Sequence, residues 1–415
     1  MKPTTPTTLK GFRDFLPTEK RQRDWLVEQM KAVFEQFGFQ PLETPTIEYA
    51  ELLLGKYGDE ADKLVYNFTD RGDRQVALRY DQTVPTARVL AQYQNVLPRY
   101  FRRYQFGNVF RADKPQKGRF REFMQSDCDV FGSSDPLADA EILAVFYAVY
   151  AAIGLESIQL QINDRQQLVT TLEPFALPEA PVLSLTQTLD KLDKIGATGV
   201  ADELVSKGLS ADAAATLLGK VEKNEKSELL QKIEQYATAL GIPQSALVYN
   251  PYLARGLDYY TGLIFEGQVP EYTVGSVGGG GRYDTLINDL SGVQMPAVGF
   301  GIGFDRTLEA AREAGTIPQS LTQTQVFVTI FNEALAPQAL TAAKQLRQAG
   351  IATEISVTTN NLGKQFRQAA VLGIPWVLVI GEEEAAKDQV TLKNLKNSSQ
   401  TQLDLNAAVQ TILAE

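Results

Sequence analysis

Apolar positions follow two different periods along this chain, and the switches between them divide it. Over 18–37, Leu26, Met30, Val33, Phe34 and Phe37 recur at steps of four, three, one and three, which is one face of a helix. Thr18, after Pro17, is the expected cap, and Gly38 the stop. FQPLETPTIEY (39–49) holds two prolines and β-branched residues and reads as extended chain. From Val65 to Phe131 short β-like runs alternate with polar links: VYNFTD, QVALRY, YFRRYQFGNVFRA and FREFMQSDCDVFG. KPQKG (114–118) reads as a hairpin loop with a basic tip, so antiparallel pairing is expected around it. PLADAEILAVFYAVYAAI (136–153) has the pattern of a buried helix.

Residues 166–245 change texture. They are rich in Leu, Lys, Ala and Glu, carry no strand pattern, and read as a helical insertion. β-like runs and glycines resume over 247–304, and the polar TIPQSLTQTQ (316–325) reads as a linker. Beyond it, strands (QVFVTIF, ATEISV, PWVLVIG) alternate with helices (APQALTAAKQLRQAG, NLGKQFRQAAVLG). A hairpin (VTLKNL, QTQLDL) and a last helix (NAAVQTILAE) follow. The alternation predicts a separate small α/β domain with a largely parallel sheet.

Composition narrows the chemistry. A length of 415 residues suggests two to four domains, and 44% apolar with 22% charged residues is ordinary for a globular protein. No run approaches the ~20 apolar residues of a membrane span, and no secretory signal is expected at MKPTTPTTLKGFRDFLP. The single cysteine, Cys128, excludes an intramolecular disulfide framework, so a reducing, cytoplasmic setting is the default. There is no histidine at all. That removes Ser-His-Asp and Cys-His catalysis, His-ligated zinc and imidazole acid/base chemistry. Arginines, carboxylates, backbone groups and bound cofactors remain. The net charge of −10 argues against a non-specific nucleic-acid binder. Charge is nevertheless segregated: Arg99 to Arg121 holds eight basic residues against one acid, Asp113, and is where an anionic ligand is expected.

Four clusters carry candidate chemistry. Arg111 and Arg119 flank the predicted hairpin loop and can project toward one another, although an isolated pair of arginines fits a salt-bridged surface as well. In ARGLDYYTGLIFEG (254–267), Arg255 and Asp258 lie among glycines; Tyr259 and Tyr260, taken alone, fit core positions better than ligand contacts. Four consecutive glycines in VGSVGGGGRYD (274–284) suggest close backbone approach to a ligand or another strand, or a flexible turn. In VGFGIGFDRTLEA (298–310), glycines at 299, 301 and 303 alternate with Phe300, Ile302 and Phe304. A strand with glycine along one face leaves a flat platform for a planar ring, or packs tightly on a helix. Asp305 suits the start of the helix that follows, and Arg306 is fixed at the junction.

Taken together, these stretches resemble the class II aminoacyl-tRNA synthetases and, within them, the histidyl-tRNA synthetase family. VFRADKPQKGRFREFMQSDCD is similar to motif 2 of the class and VGFGIGFDR to motif 3. ARGLDYYTGLIFEG and SVGGGGRYD resemble the two stretches peculiar to the histidine enzymes, and GFRDFLP with QPLETPTIEY resembles their N-terminus and motif 1. The resemblance implies an α+β fold: an antiparallel sheet with flanking helices over 1–322, a helical insertion at about 166–245, and an anticodon-binding α/β domain over 323–415. It also implies a homodimer through motif 1.

By the same resemblance, Arg111 binds the amino-acid carboxylate and the α-phosphate, and Arg119 the γ-phosphate. Phe123 and Arg306 sandwich adenine, with Asp113 near its amino group. Asp81, Gln82, Thr83 and Gln125 surround the α-amino group of the substrate. Asp129 and Tyr260, with Tyr259 beside them, face the imidazole. Arg255 acts on the α-phosphate where other members of the class place a metal ion. ATP is then a substrate, Mg2+ bridges its phosphates, and L-histidine and tRNA(His) are the partners.

The implied chemistry suits a chain without histidine. A histidine carboxylate attacking the α-phosphorus of ATP is already ionised and needs no general base. The obstacle is an anion approaching a polyanion, and each arginine at ~4 Å offers roughly 4 kcal/mol at an effective dielectric of ~20. Realised in the transition state, that is on the order of a thousandfold in rate, with Arg111 and Arg255 in the catalytic role. A site that hydrogen-bonds an imidazole rejects apolar analogues by roughly 10⁴–10⁵, so no editing domain is needed, and the insertion reads as a tRNA-contacting or stabilising element. Residues 325–415 hold seven basic and eight acidic side chains, so tRNA contact there needs a local patch; Lys344, Arg347, Lys364 and Arg367 are candidates. Two positions depart from the family pattern, Gln82 for an aliphatic residue and Met124 for an aromatic one. The alternative is a non-catalytic, histidine-sensing regulatory paralogue. Such proteins generally lack the C-terminal domain and lose catalytic arginines, whereas Arg111, Arg119, Arg255 and Arg306 are all present here.

Overall fold

The computed structural model describes residues 6–54, 63–115, 119–255, 259–318, 321–359 and 361–414. Two compact units divide between Ile317 and Pro318, inside the polar stretch that reads as a linker.

In the first unit, among the described residues, eight strands form one sheet: β1 (Gln40–Pro41), β5 (Phe101–Phe110), β6 (Glu122–Phe131), β11 (Ala297–Gly303), β10 (Gly278–Arg282), β9 (Leu263–Gln268), β7 (Gln159–Asp164) and β8 (Leu247–Tyr249), in that order. Pairing is antiparallel except at the two ends, where β1–β5 and β7–β8 are parallel. β5 and β6 pair along their whole length, as the hairpin expectation requires; the loop tip, 116–118, lies outside the described residues. β2 (Ile47–Tyr49), β4 (Gln75–Leu78) and β3 (Asn67–Thr69) form a separate small sheet.

Side chains alternate across a strand, so register gives the main sheet two unlike faces. One carries Tyr104, Phe106, Cys128, Phe300, Ile302, Phe265 and Leu160. Helices Pro17–Gln36 and Pro136–Ala152 pack on it, with Phe146 set edge-on to Phe265 and Phe300 at 5.2 and 5.0 Å between ring centroids. A Cβ at Gly267 or Gly278 would fall on the Phe146 ring, which explains part of the glycine run. The other face carries Arg103, Gln105, Gln125, Asp127, Asp129 and a row of glycines, and forms the floor of the site.

Several local expectations need correction. The first helix begins at Pro17 in its first turn, with extended Leu16 before it; Thr18 is inside the helix and does not cap it. The segment 166–245 divides in two. Helices Arg165–Leu172, Val182–Leu189, Leu192–Ser206 and Ala211–Glu222 share a core of their own around Leu168, Leu185, Leu204 and Leu217. Helix Glu228–Ala239, capped by Ser227, packs Leu230, Ile233 and Ala237 into the main core instead.

In the second unit β12 (Val326–Val328) pairs in parallel with β13 (Thr353–Ile355) and β14 (Trp376–Val379), whereas β14, β15 (Val390–Asn394) and β16 (Gln400–Leu403) are antiparallel. The sheet is therefore mixed and not largely parallel, because the hairpin adds to one edge of the βαβ core. Helix Ala336–Gln348 packs on the Val326/Val328 face and helix Leu362–Val371 on the Phe327/Val377 face. Lys344 and Arg347 are thus on the opposite side of the sheet from Lys364 and Arg367, and the four do not form one patch. Arg347 is in addition tied to the Thr353 carbonyl at 2.9 and 3.1 Å.

Candidate active site

A cavity of about 550 Å³ opens on the polar face of the main sheet, and Arg111, Arg119, Arg255 and Arg306 all line it. Its floor includes Gly279, Gly301 and Gly303; Phe123, Phe120, Asp113, Glu266 and Lys194 are on its walls. Side chains separated by up to 195 positions in sequence thus share one space, because β6, β10 and β11 are neighbours in the sheet.

Each arginine is held differently. Arg111 follows β5 directly; its Nε donates to the Tyr80 carbonyl at 3.2 Å, and its guanidinium lies against the rings of Tyr80 and Phe123 at 4.3 and 5.2 Å. Arg119 is bidentate on Asp113, both contacts at 2.9 Å. Arg306, in the first turn of helix Phe304–Glu313, donates to the Ser276 carbonyl at 3.0 Å. Its neighbour Asp305 is held by Arg13 at 3.0 Å and Arg23 at 2.5 Å. Arg255 has a left-handed backbone (φ 47°), unusual for a residue with a side chain and a local strain of the kind that clusters at functional sites. Its guanidinium bonds Glu266 at 2.9 Å and lies 5.8 Å from the Tyr260 ring. Only glycine at 279 leaves room for that guanidinium. Asp258, the other candidate in this stretch, is outside the described residues.

Two residues further along the same strands, beyond the residues that line this cavity, the sheet face carries a buried polar cluster. Arg103, Asp129, Gly299 and Gly281 stand side by side on β5, β6, β11 and β10. The Asp129 carboxylate lies over Gly299, where any Cβ would collide with it, and the Tyr260 ring covers Gly281. Asp129 accepts the Tyr283 hydroxyl and pairs with Arg103 at 2.6 Å. Tyr259 packs against both Tyr260 and Tyr283, with centroids 4.7 and 5.9 Å away. Burial raises the pKa of Asp129, opposed by the Arg103 charge and the Tyr283 hydrogen bond. Burial also works against the charge on Arg103, but Asp129 and Asp127 outweigh it and hold the guanidinium above its ordinary range. Burial drives the Tyr259 and Tyr283 hydroxyls far up, so both stay neutral donors.

The segment 81–83 closes this end. Asp81 accepts the Val84 backbone N–H at 3.1 Å in the first turn of helix Thr83–Tyr93. Gln82, fully buried, donates to the Gln125 carbonyl at 3.0 Å, so the departure from an aliphatic residue ties this helix to β6. Met124 packs partly into the core and edges the cavity.

The basic segment is less uniform than its composition suggests. Of its eight cations, Arg111 and Arg119 line the cavity. Arg102 pairs with Glu141, Arg121 donates to the Asp113 carbonyl, and Arg103 is fully buried. Lys117 is outside the described residues. Sequence reasoning missed Arg103, Asp127, Tyr283, Glu266 and Lys194. Asp127 had a signal, since it shares the strand face of Gln125 and Asp129. Arg103 had none before the β5–β6 register was known.

A resident metal finds no donor set here. Among the described residues no group of three acidic or cysteine side chains stands at metal-binding distance. The carboxylates on the cavity wall are each engaged by a guanidinium: Asp113 by Arg119, Glu266 by Arg255, Asp305 by Arg13 and Arg23.

A family model described as histidyl-tRNA synthetase matches residues 11–307, and one described as anticodon binding domain matches 325–415. A protein of Christiangramia forsetii named histidine–tRNA ligase is 37% identical, over 97% of this chain and 98% of its own. One of the same name from Rhodopirellula baltica is 39% identical over 94% and 93%. The chain belongs to the histidyl-tRNA synthetase family. The crystal structure of histidyl-tRNA synthetase from Nostoc sp. PCC 7120 superposes with a TM-score of 0.86, at 30% identity over 99% of this chain and all of that one. A Bacillus halodurans structure titled ATP phosphoribosyltransferase regulatory subunit/histidyl-tRNA synthetase shares the fold alone, with a TM-score of 0.72 at 22% identity over 88% of this chain. The α+β architecture implied by motifs 2 and 3 is that of this family.

Proposed function

We propose that this chain is a histidine–tRNA ligase, an enzyme that joins L-histidine to the α-phosphate of ATP and passes it to the 3′ end of tRNA(His). The observation that carries the reading is a cavity on one sheet face lined by four guanidinium groups, with a buried carboxylate–tyrosine cluster two residues further along the same strands.

The roles follow from what each group can do. Phe123 and Arg306 offer the two flat surfaces for adenine. Arg119, half exposed and paired with Asp113, can exchange that partner for the γ-phosphate, and Asp113 then turns to the adenine amino group. Arg111 takes the amino-acid carboxylate and the α-phosphate together, which overcomes their mutual repulsion at the moment of attack. Arg255 holds the α-phosphate from the other side. Charge grows on the non-bridging oxygens as the carboxylate oxygen bonds to phosphorus and pyrophosphate leaves, and fixed guanidinium groups meet it without reorganisation. Asp129 accepts an imidazole N–H and Tyr260 bonds the ring, with Tyr259 packed behind; Asp81, Gln82, Thr83 and Gln125 surround the α-amino group. Magnesium bound to ATP would screen its phosphates.

Residues 318–415 serve as the anticodon-binding unit, with Lys364, Arg367 and Lys393 on one face of it as the contact surface. The exposed Ile47, Tyr49 and Phe68 of the small sheet fit burial in a homodimer. Among the described residues no helix is long and apolar enough to cross a membrane; a cytoplasmic place of work follows from the translation role proposed here. The regulatory alternative has less in its favour, because the arginines it would have lost are gathered at the cavity. Histidine-dependent ATP–pyrophosphate exchange, followed by charging of tRNA(His), tests the reading. Both activities are expected; absence of exchange at saturating histidine and ATP rejects it.

A further inference from the structure

One buried carboxylate at the inner end of the site has no role in this scheme. Asp127 lies on β6 between Gln125 and Asp129, on the same face and ~7 Å from each along the strand. It is buried, and its Oδ1 has no hydrogen-bond partner among the described residues. Its Oδ2 is 4.0 Å from Arg103 Nη2, a nitrogen that sits much closer, 2.6 Å, to Asp129. Gly301 stands beside Asp127 in register on β11 and lines the cavity. A Cβ there would lie 3.1 Å from Asp127 Oδ1 and 3.4 Å from Gln125 Nε2, so both side chains converge on the face of Gly301. Gln125 Oε1 and Gln82 Oε1 are also buried without a partner among the described residues. Asp127 Oδ1 and Gln125 Oε1, on neighbouring same-face positions of β6, thus lack donors away from water, which native structures rarely tolerate. A ligand that answers both carries several N–H groups and a positive charge that favours the ionised carboxylate: a primary ammonium.

We propose that Asp127 is a recognition residue for the α-ammonium group of the amino acid, which it binds through Oδ1 together with Gln125. Arg103 is the positioning residue, a single buried cation that holds Asp127 and Asp129 at fixed places beneath the amine and the ring. The inference rests on the amino-acid-activating reading above and adds a residue to it. The charged groups that act on Asp127 are Arg103 on β5, Asp129 on β6, and Asp81, Arg79 and Arg111 at the ends of neighbouring segments. Burial pushes its pKa up to about 7, with Arg103 pulling it down and Asp129 and Asp81 pushing it further up. A bound ammonium favours the ionised form, so binding near pH 7 expels a proton.

The test compares three imidazole ligands on the full chain and on Asp127→Asn: histidine, histidinol (ammonium without carboxylate) and imidazole-4-propionate (carboxylate without ammonium). The variant is expected to bind histidine and histidinol 10- to 100-fold more weakly and imidazole-4-propionate within twofold of the unmodified protein, with no loss of Tm at pH 8. An equal loss for all three ligands, or none for histidinol, overturns the proposal. If the variant does not fold, calorimetry of the unmodified protein in two buffers at pH 7 decides. After subtraction of each ring's own titration, histidinol is expected to release more protons than imidazole-4-propionate, and equal release overturns the proposal. Unmodified protein that fails to bind histidine rejects the functional reading itself, whereas histidine bound equally by protein and variant removes only the role of Asp127.

Discussion

At the outer end of the cavity Arg119 lies 54% exposed against Asp113, and the Arg255 guanidinium donates to both Glu266 and the Phe265 carbonyl. At the inner end Arg103 is wholly buried between Asp129 and Asp127. Both ends pair guanidinium with carboxylate, yet the pairs do different work. The Arg119–Asp113 pair reaches water through its arginine, contributes little to stability and can open when a phosphate arrives, whereas Arg255 and Glu266 are mostly buried. Inner pairs are shielded, so breaking one leaves an uncompensated charge in a low dielectric. The outer end is built to exchange partners during the reaction; the inner end is fixed before the substrate enters. Turnover and selectivity are therefore separable by substitution.

The largest effect is expected at the attacking carboxylate. Arg111→Ala should lower the rate of histidine-dependent pyrophosphate exchange by on the order of a thousandfold, with little change in unfolding midpoint. A loss below tenfold would mean that charge does not develop beside this guanidinium.

Removing the inner cation should act on the fold instead. Arg103→Met leaves two buried carboxyls without their nearest counter-charge and should cost about 3–5 kcal/mol in urea unfolding at pH 8. The pH dependence has a definite sign. Asp127 and Asp129 already have raised pKa values in the folded protein, and loss of the guanidinium raises them further. The folded variant then holds protons that the unfolded chain releases above about pH 4, so it loses stability as pH rises from there through neutrality. Its deficit should be smaller at pH 5 than at pH 8; an equal deficit would place the damage in packing rather than charge.

The smallest effect belongs to Arg119. Its replacement by Ala should raise the KM for ATP by roughly tenfold or less and change stability by under about 1 kcal/mol, since the pair it breaks is half exposed. An effect as large as that of Arg111→Ala would erase the distinction between the two ends.

The sequence was legible where period and punctuation act locally. The helices over 17–36 and 136–152, the long β5–β6 hairpin and the linker near 317 all follow from spacing, proline and glycine. The alternating glycines at 299, 301 and 303 pointed to a platform, and the sheet places Gly279 and Gly281 beside them. What stayed hidden depends on register. Arg103 reads as one cation among eight, and only its alignment with Asp129 across β5 and β6 turns it into the buried centre of the cluster. The spread of Lys344, Arg347, Lys364 and Arg367 over two faces was hidden for a related reason. Successive helices on either side of a parallel strand look alike in sequence and pack on opposite faces of the sheet.

The central claim is that one face of one sheet binds both reactants, amino acid over the buried cluster and nucleotide over the arginine-lined floor. A crystal structure with a non-hydrolysable histidyl-adenylate analogue tests this most directly. The imidazole is expected between Asp129 and Tyr260, the ammonium above Gly301, the phosphate analogue between Arg111 and Arg255, and adenine between Phe123 and Arg306. An analogue bound away from this face, or with its two ends reversed, would contradict it.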